Sequence, residues 1–139
     1  MVPGGCLCGK IKYELNDGDY TAGLCHCSIC RINTGSAFST NLFVPVSSFH
    51  LLSAPETVSR FEIDGTRTGS GFPSVMCFCS SCGTTLWAEP QNPEYAGMEI
   101  IKAGTVADRA WLEKQALKVE LFKEDGLAWV GDLVGKEKA

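Results

Sequence analysis

Eight cysteines in 139 residues fall into three clusters: Cys6-Leu-Cys8, Cys25-His-Cys27-Ser-Ile-Cys30 and Cys77-Phe-Cys79-Ser-Ser-Cys82-Gly83. Two residues between Cys79 and Cys82 let both thiolates point at one ion, and the glycine that follows permits the tight backbone such a knuckle needs. Cys6 and Cys8, one residue apart on extended chain, present their side chains on one face and so form a second half-site. Joining the halves closes a loop of about 70 residues, and a metal clip across it restricts the unfolded chain. Cys6, Cys8, Cys79 and Cys82 are therefore assigned to a closed, structural zinc site with four thiolate ligands. Buried free thiols or disulfides are the plainer readings, and the paired motifs argue against both.

The middle cluster is different in kind. Cys25, Cys27 and Cys30 offer three thiolates within six residues, with no fourth cysteine close by. Three protein ligands leave one position open, the mark of a catalytic zinc. Three thiolates on a divalent ion leave a net negative centre, a weak Lewis acid suited to holding an incoming thiol rather than to activating water. The expected substrate therefore carries sulfur. Cys77 is read as a packed thiol, and its rival role is to close this second site as a fourth ligand. His26, between two ligands, should point away from the metal, and His50 reads as a satisfied strand histidine.

Other features point less sharply to chemistry. Arg31 could fork onto a substrate carboxylate or simply be solvated. Thr34-Gly35-Ser36 could present amides to an anion or form a turn, and Gly69-Ser70-Gly71 could flank the site. Trp87, Trp111 and Trp129 read as core residues, with one of them a candidate pocket wall.

The elements that must position these groups are mostly strands. Lys10–Leu15 alternates polar and apolar, Asn16–Asp19 is a turn, and Tyr20–Leu24 leads into the middle cluster, a pattern that predicts a hairpin. Further strands are expected at Ala37–Val44, Phe49–Leu52, Thr57–Ile63, Val75–Phe78, Thr84–Ala88 and Met98–Ala103, while Val119–Phe122 and Ala128–Val130 should pair across Lys123–Gly126. Helix is expected only after Cys30 and over Asp108–Gln115, where Asp108 could cap.

Composition sets the outer limits. With 45% hydrophobic and 20% charged residues, the chain suits one globular domain over residues 3–130, with a short tail at 131–139. The net charge of −4 offers no basic footprint for nucleic acid. No stretch approaches the roughly 18 apolar residues of a membrane span. The start, MVPGGCLCGK, lacks the pattern of a secretory signal, so a cytoplasmic, reducing location is expected and the cysteines are read as ligands.

Taken together, Gly4-Gly-Cys-Leu-Cys-Gly9, Cys25-His-Cys-Ser-Ile-Cys-Arg31 with Thr34-Gly-Ser-Ala-Phe38, and Phe78-Cys-Ser-Ser-Cys-Gly83 with Leu86-Trp87 resemble the glutathione-dependent formaldehyde-activating enzyme and centromere protein V family. The resemblance runs over roughly residues 3–130. It implies a mainly β fold, a β-tent of small antiparallel sheets clipped by zinc with little helix. It also implies two zinc ions, with Cys6, Cys8, Cys79 and Cys82 at the family's structural positions and Cys25, Cys27 and Cys30 at its catalytic ones. The implied activity is that of a carbon-sulfur lyase, joining or releasing a small thiol such as glutathione and an aldehyde such as formaldehyde. The centromere branch supplies the alternative, a non-catalytic protein-binding module on the same fold. This chain departs from the family pattern at Cys77, where a polar or basic residue is usual, and in Gln115–Phe122, which lacks the expected Pro and His.

Overall fold

The computed structural model describes residues 1–131. It is mainly β, built as a small sheet and a larger one that meet over a shared core. The small sheet has three strands, β1 (Val2–Gly5), β2 (Lys12–Leu15) and β5 (Phe49–Leu51), with β2 in the middle and both pairings antiparallel. The larger sheet holds β3 (Thr21–Cys25), β4 (Ser39–Pro45), β6 (Val58–Ile63), β7 (Ser74–Cys79), β8 (Thr85–Pro90), β9 (Met98–Lys102) and β10 (Ala116–Leu121) in the order β10-β3-β4-β9-β8-β7-β6. Two short helices complete it, α1 (Ser28–Thr34) and α2 (Arg109–Glu113), the latter capped by Asp108, whose carboxylate accepts from the Trp111 N–H at 2.9 Å. Among the described residues no helix is long and apolar enough to cross a membrane.

Period-two alternation decides what each strand sends to which side. Tyr13 and Leu15 from the small sheet, and Leu42, Val44, Trp87 and Ile101 from the larger one, interlock in the main core. The rings of Phe49 and Trp87 meet at 4.8 Å between centroids, and those of Tyr13 and Phe49 at 5.4 Å. The alternate positions on the opposite face of the larger sheet form a second, smaller core of Ile63, Met76 and Ala88, covered by Ile29 and Ile100.

Three expectations are corrected. The Lys10–Leu24 segment is not a hairpin. Both edges of β2 are already taken by β1 and β5, so Asn16–Asp19 is a corner that hands the chain to the other sheet. That corner is held by the Tyr20 N–H on Gln115 Oε1 at 2.7 Å and by Trp111 Nε1 on Asp17 at 2.8 Å. The sheets are not wholly antiparallel, because β10 runs parallel to β3, with Ala116 beside Thr21 and Leu121 beside Cys25. A parallel partner needs a long connection, and here Gln115 enters next to the start of β3 so that β10 has to run the same way. Ala128–Val130 therefore does not pair with β10; it is a turn, closed by the Val130 N–H on the Leu127 carbonyl at 3.0 Å, and Trp129 is exposed rather than core. Of the expected tail at 131–139, residues 132–139 lie outside the described part.

Candidate metal centres and active site

The two halves of the four-cysteine site come from different sheets. Cys6 and Cys8 stand on the turn after β1, Cys79 ends β7, and Cys82 lies in the β7–β8 turn. Gly9 and Gly83 take the left-handed backbone that these tight turns demand, with φ of 81° and 77°. Local hydrogen bonds set the sulfurs: the Ile11 N–H donates to Cys6 Sγ at 3.3 Å, and Cys82 Sγ contacts Thr84 Oγ1 at 3.2 Å. Thr84 ties the halves together, since its hydroxyl also accepts from the Leu7 N–H at 3.2 Å.

All four sulfurs lie within 4.8 Å of one another. Cys6 to Cys8 is 3.6 Å and Cys8 to Cys79 is 3.7 Å. A tetrahedral ion with metal–sulfur bonds near 2.3 Å sets an edge of about 3.8 Å, so the donor set fits a thiolate-bound ion. All eight cysteines are free thiols.

The three-cysteine group is local. Cys25 ends β3, Cys27 caps α1 through its sulfur, which accepts from the Cys30 N–H at 3.4 Å, and Cys30 follows one turn later. This β-strand-to-helix corner brings the three sulfurs within 4.8 Å of one another, so this donor set too could hold an ion. The sulfurs share charge strongly. Hydrogen bonds from Cys25 and Cys27 hold the Cys30 thiol well below its ordinary range, while contacts with Cys27 and Cys30 push Cys25 up.

The surroundings of this group hold the residues that sequence reading missed. Lys102, on the central strand β9, is buried, and its ammonium donates to Asn41 Oδ1 at 3.0 Å; Asn41 in turn donates to Ser39 Oγ at 3.0 Å. Desolvation depresses the Lys102 pKa, and the negative charge on Cys30, Cys25 and Cys27 counters that effect. A buried ammonium requires such compensation, and Lys102 is thus the counter-charge of the cysteine group. The sequence held only a weak hint, a lysine following Ile100-Ile101 at the end of an expected strand, and that this strand is the central one is a property of the fold.

Beside these sulfurs lies an open cavity of about 160 Å³, reached by Cys25, Cys27, Cys30, Asn41 and Lys102 at one end. The second core, with Ile63, Met76 and Ala88, forms part of its wall. Gly69 and Ser70 do flank it, and its aromatic walls are Phe43, Tyr95 and Phe122 rather than a tryptophan.

The remaining candidates are structural in their contacts. Cys77 belongs to neither sulfur group; it is fully buried, with Arg60 Nη1 at 3.5 Å from its sulfur, and Arg60 itself is paired with Glu89. His26 is buried and turned to Glu120, Nε2 to Oε1 2.8 Å, which fastens the cysteine corner to β10. Arg31 reinforces the same junction by donating to the Asp125 carbonyl at 2.8 Å. Gly35 is the left-handed cap of α1, so Thr34–Ser36 is a turn, and His50 meets Asn16 Oδ1 at 2.8 Å.

Comparison with known proteins gives a consistent picture. A family model described as glutathione-dependent formaldehyde-activating enzyme matches residues 1–125. An uncharacterized lyase of Schizosaccharomyces pombe is 30% identical over 102 residues, which span 71% of this chain and 67% of that protein. A crystal structure of a Rhodobacter sphaeroides protein superposes with a TM-score of 0.60 at 20% identity, covering 85% of this chain and 98% of that one, and shares the fold.

Proposed function

The chain belongs to the glutathione-dependent formaldehyde-activating enzyme family, and on that premise we propose that it is a zinc-dependent carbon-sulfur lyase-like enzyme. It joins or releases a small thiol, glutathione being the family's namesake, and an aldehyde such as formaldehyde. In the joining direction the thiol sulfur bonds to the carbonyl carbon, the C=O double bond becomes single, and the thiol proton ends on the oxygen; release is the reverse. No oxidant or reductant is needed.

In this reading one zinc is structural, on Cys6, Cys8, Cys79 and Cys82, and the other is held by Cys25, Cys27 and Cys30, within a single domain spanning 3–130. Zinc on three thiolates supplies a position for an incoming thiol and lowers its pKa, so that the sulfur is nucleophilic near neutral pH. The protein's own groups do the rest. The cavity admits the carbonyl partner beside the cysteines, while Lys102 offers a fixed positive charge where the carbonyl oxygen becomes negative. Asn41 and Ser39 orient that ammonium. Seven cysteines kept as metal ligands rather than disulfides suit a reducing, cytoplasmic setting.

The observation that carries the proposal is that all three cysteines of the local group line one apolar cavity, with buried Lys102 and Asn41 lining it beside them. The test is native mass spectrometry of the full chain with and without millimolar glutathione. Two zinc ions and a glutathione adduct that disappears in Cys27→Ser, together with catalysed thiol–aldehyde exchange, are expected. Two zinc ions that never accept any thiol would instead leave a non-catalytic binding module.

A further inference from the structure

The cavity beside the three cysteines is apolar beyond its sulfur end. Ile29, Phe43, Ile63, Met76, Ile100 and Phe122 line it, and among its described lining residues Lys102 is the one cationic side chain. That ammonium donates to Asn41 at the sulfur end, where the proposed activity places the reacting oxygen, so the apolar wall itself carries no cation. Two of the polar residues on the wall serve their own turns: Thr68 Oγ1 donates to the Phe72 carbonyl at 2.7 Å, and Asn92 Oδ1 accepts from the Glu94 N–H at 3.0 Å. A tripeptide such as glutathione, whose carboxylates need cationic or amide partners, finds few in this wall.

Size points the same way. The cavity measures about 160 Å³, and an apolar cavity of roughly 150 Å³ is filled by one benzene ring. One wall of the cavity carries a strained residue. Phe122, at the end of β10, has φ 52°, a left-handed backbone that a bulky side chain rarely adopts. Its ring lies so close to Gly69 that a Cβ there would sit 2.5 Å from the ring carbons. The strained backbone and the bare glycine together place an aromatic ring at the cavity edge.

We propose that this cavity is a specificity pocket that takes a compact apolar group of about six carbons, carried by the thiol or by the aldehyde. The inference rests on the thiol–aldehyde reading above and narrows its substrate class. The chemistry is unchanged: the S–C bond forms, the carbonyl π bond breaks, and the thiol proton moves to oxygen.

The test uses the zinc-loaded full chain. Exchange rates are measured by NMR for glutathione with formaldehyde, glutathione with benzaldehyde, and benzyl mercaptan with formaldehyde. In parallel, binding of unreactive fluorobenzyl alcohol is followed by fluorine NMR. One aromatic pair should exceed glutathione with formaldehyde in kcat/KM by about tenfold or more, and which pair does so identifies the partner that carries the apolar group. Ala88→Leu, which fills the second core, should abolish fluorobenzyl alcohol binding and erase that preference while both zinc ions are retained. If Ala88→Leu does not fold, Phe122→Ala, which strips one aromatic wall, should weaken binding of the same probe. Glutathione with formaldehyde as the fastest pair, or probe binding equal in wild type and variant, overturns the inference and leaves the proposed activity standing. Probe binding that Ala88→Leu removes, with no pair accelerated, supports the apolar pocket and sinks the proposed activity.

Discussion

The two sulfur groups use the same ligand chemistry and differ in how far along the chain their ligands lie. Cys8 and Cys79 are separated by 71 positions and join the small sheet to the β7–β8 turn. Cys25, Cys27 and Cys30 sit on one strand-to-helix corner and bridge nothing that is not already adjacent. A ligand set that closes a long loop stabilises the fold by restricting the unfolded chain, whereas a local set contributes little of that kind. The local group can therefore leave a coordination position and a cavity open without endangering the fold. The distant group, braced by Thr84 and two left-handed glycines, brings four sulfurs together and so can fill a tetrahedral ion's positions by itself.

The largest expected effect breaks this contrast directly. On the proposed assignment Cys79→Ser should cost up to about 4 kcal/mol, the size of the loop-closure contribution, and leave much of the chain unfolded, whereas Cys27→Ser should lose one zinc and activity with a modest fall in stability. Urea denaturation with metal counting checks it; equal losses for the two variants would mean that both centres hold the fold together.

A smaller effect concerns the link between the local group and its neighbour strand. Glu120→Ala leaves buried His26 without its partner and should destabilise by about 1–3 kcal/mol, seen as a lowered Tm. If the contact positions the cysteine corner, affinity for the second zinc should fall as well, and Glu120→Gln should recover most of it. A Tm loss with unchanged zinc affinity would confine the pair to packing.

The smallest effect lies away from both groups and serves as their pH control. Glu99 is buried with one oxygen lacking a partner, and desolvation, aided by the charge of Glu89 and opposed by Arg60, raises its pKa to about 7. The folded state thus binds a proton that the unfolded state has lost between about pH 4.5 and 7. Stability from this residue is present at the low end and falls as pH rises through 7. Relative to wild type, Glu99→Gln should gain about 1 kcal/mol at pH 8 and much less at pH 5. Denaturation of both proteins at the two pH values measures it, and a pH-independent difference would show that Glu99 titrates normally.

Much of the candidate site was legible before any coordinates. Ligand pairs one or two residues apart are placed by local geometry, so Cys6-x-Cys8, Cys79-x-x-Cys82 and Cys25-x-Cys27-x-x-Cys30 could be grouped from spacing, and alternation located most of the strands. Strand β1, reading Val-Pro-Gly-Gly, carries no such signal and was invisible; its edge position is what tolerates proline and glycine.

What the sequence determined by itself was therefore mostly short-range: which cysteines pair within each motif, which segments extend, where α2 is capped. The joining of the two distant half-sites followed from their matching donor chemistry. Only the tertiary structure decided that β10 lies parallel to β3, that Lys102 becomes the buried counter-charge of the three cysteines, and that an apolar cavity stands before them. These depend on residues that lie far apart in the chain, from Cys25 to Phe122. Contacts of that range are chosen by how whole sheets pack, and no local spacing records that choice.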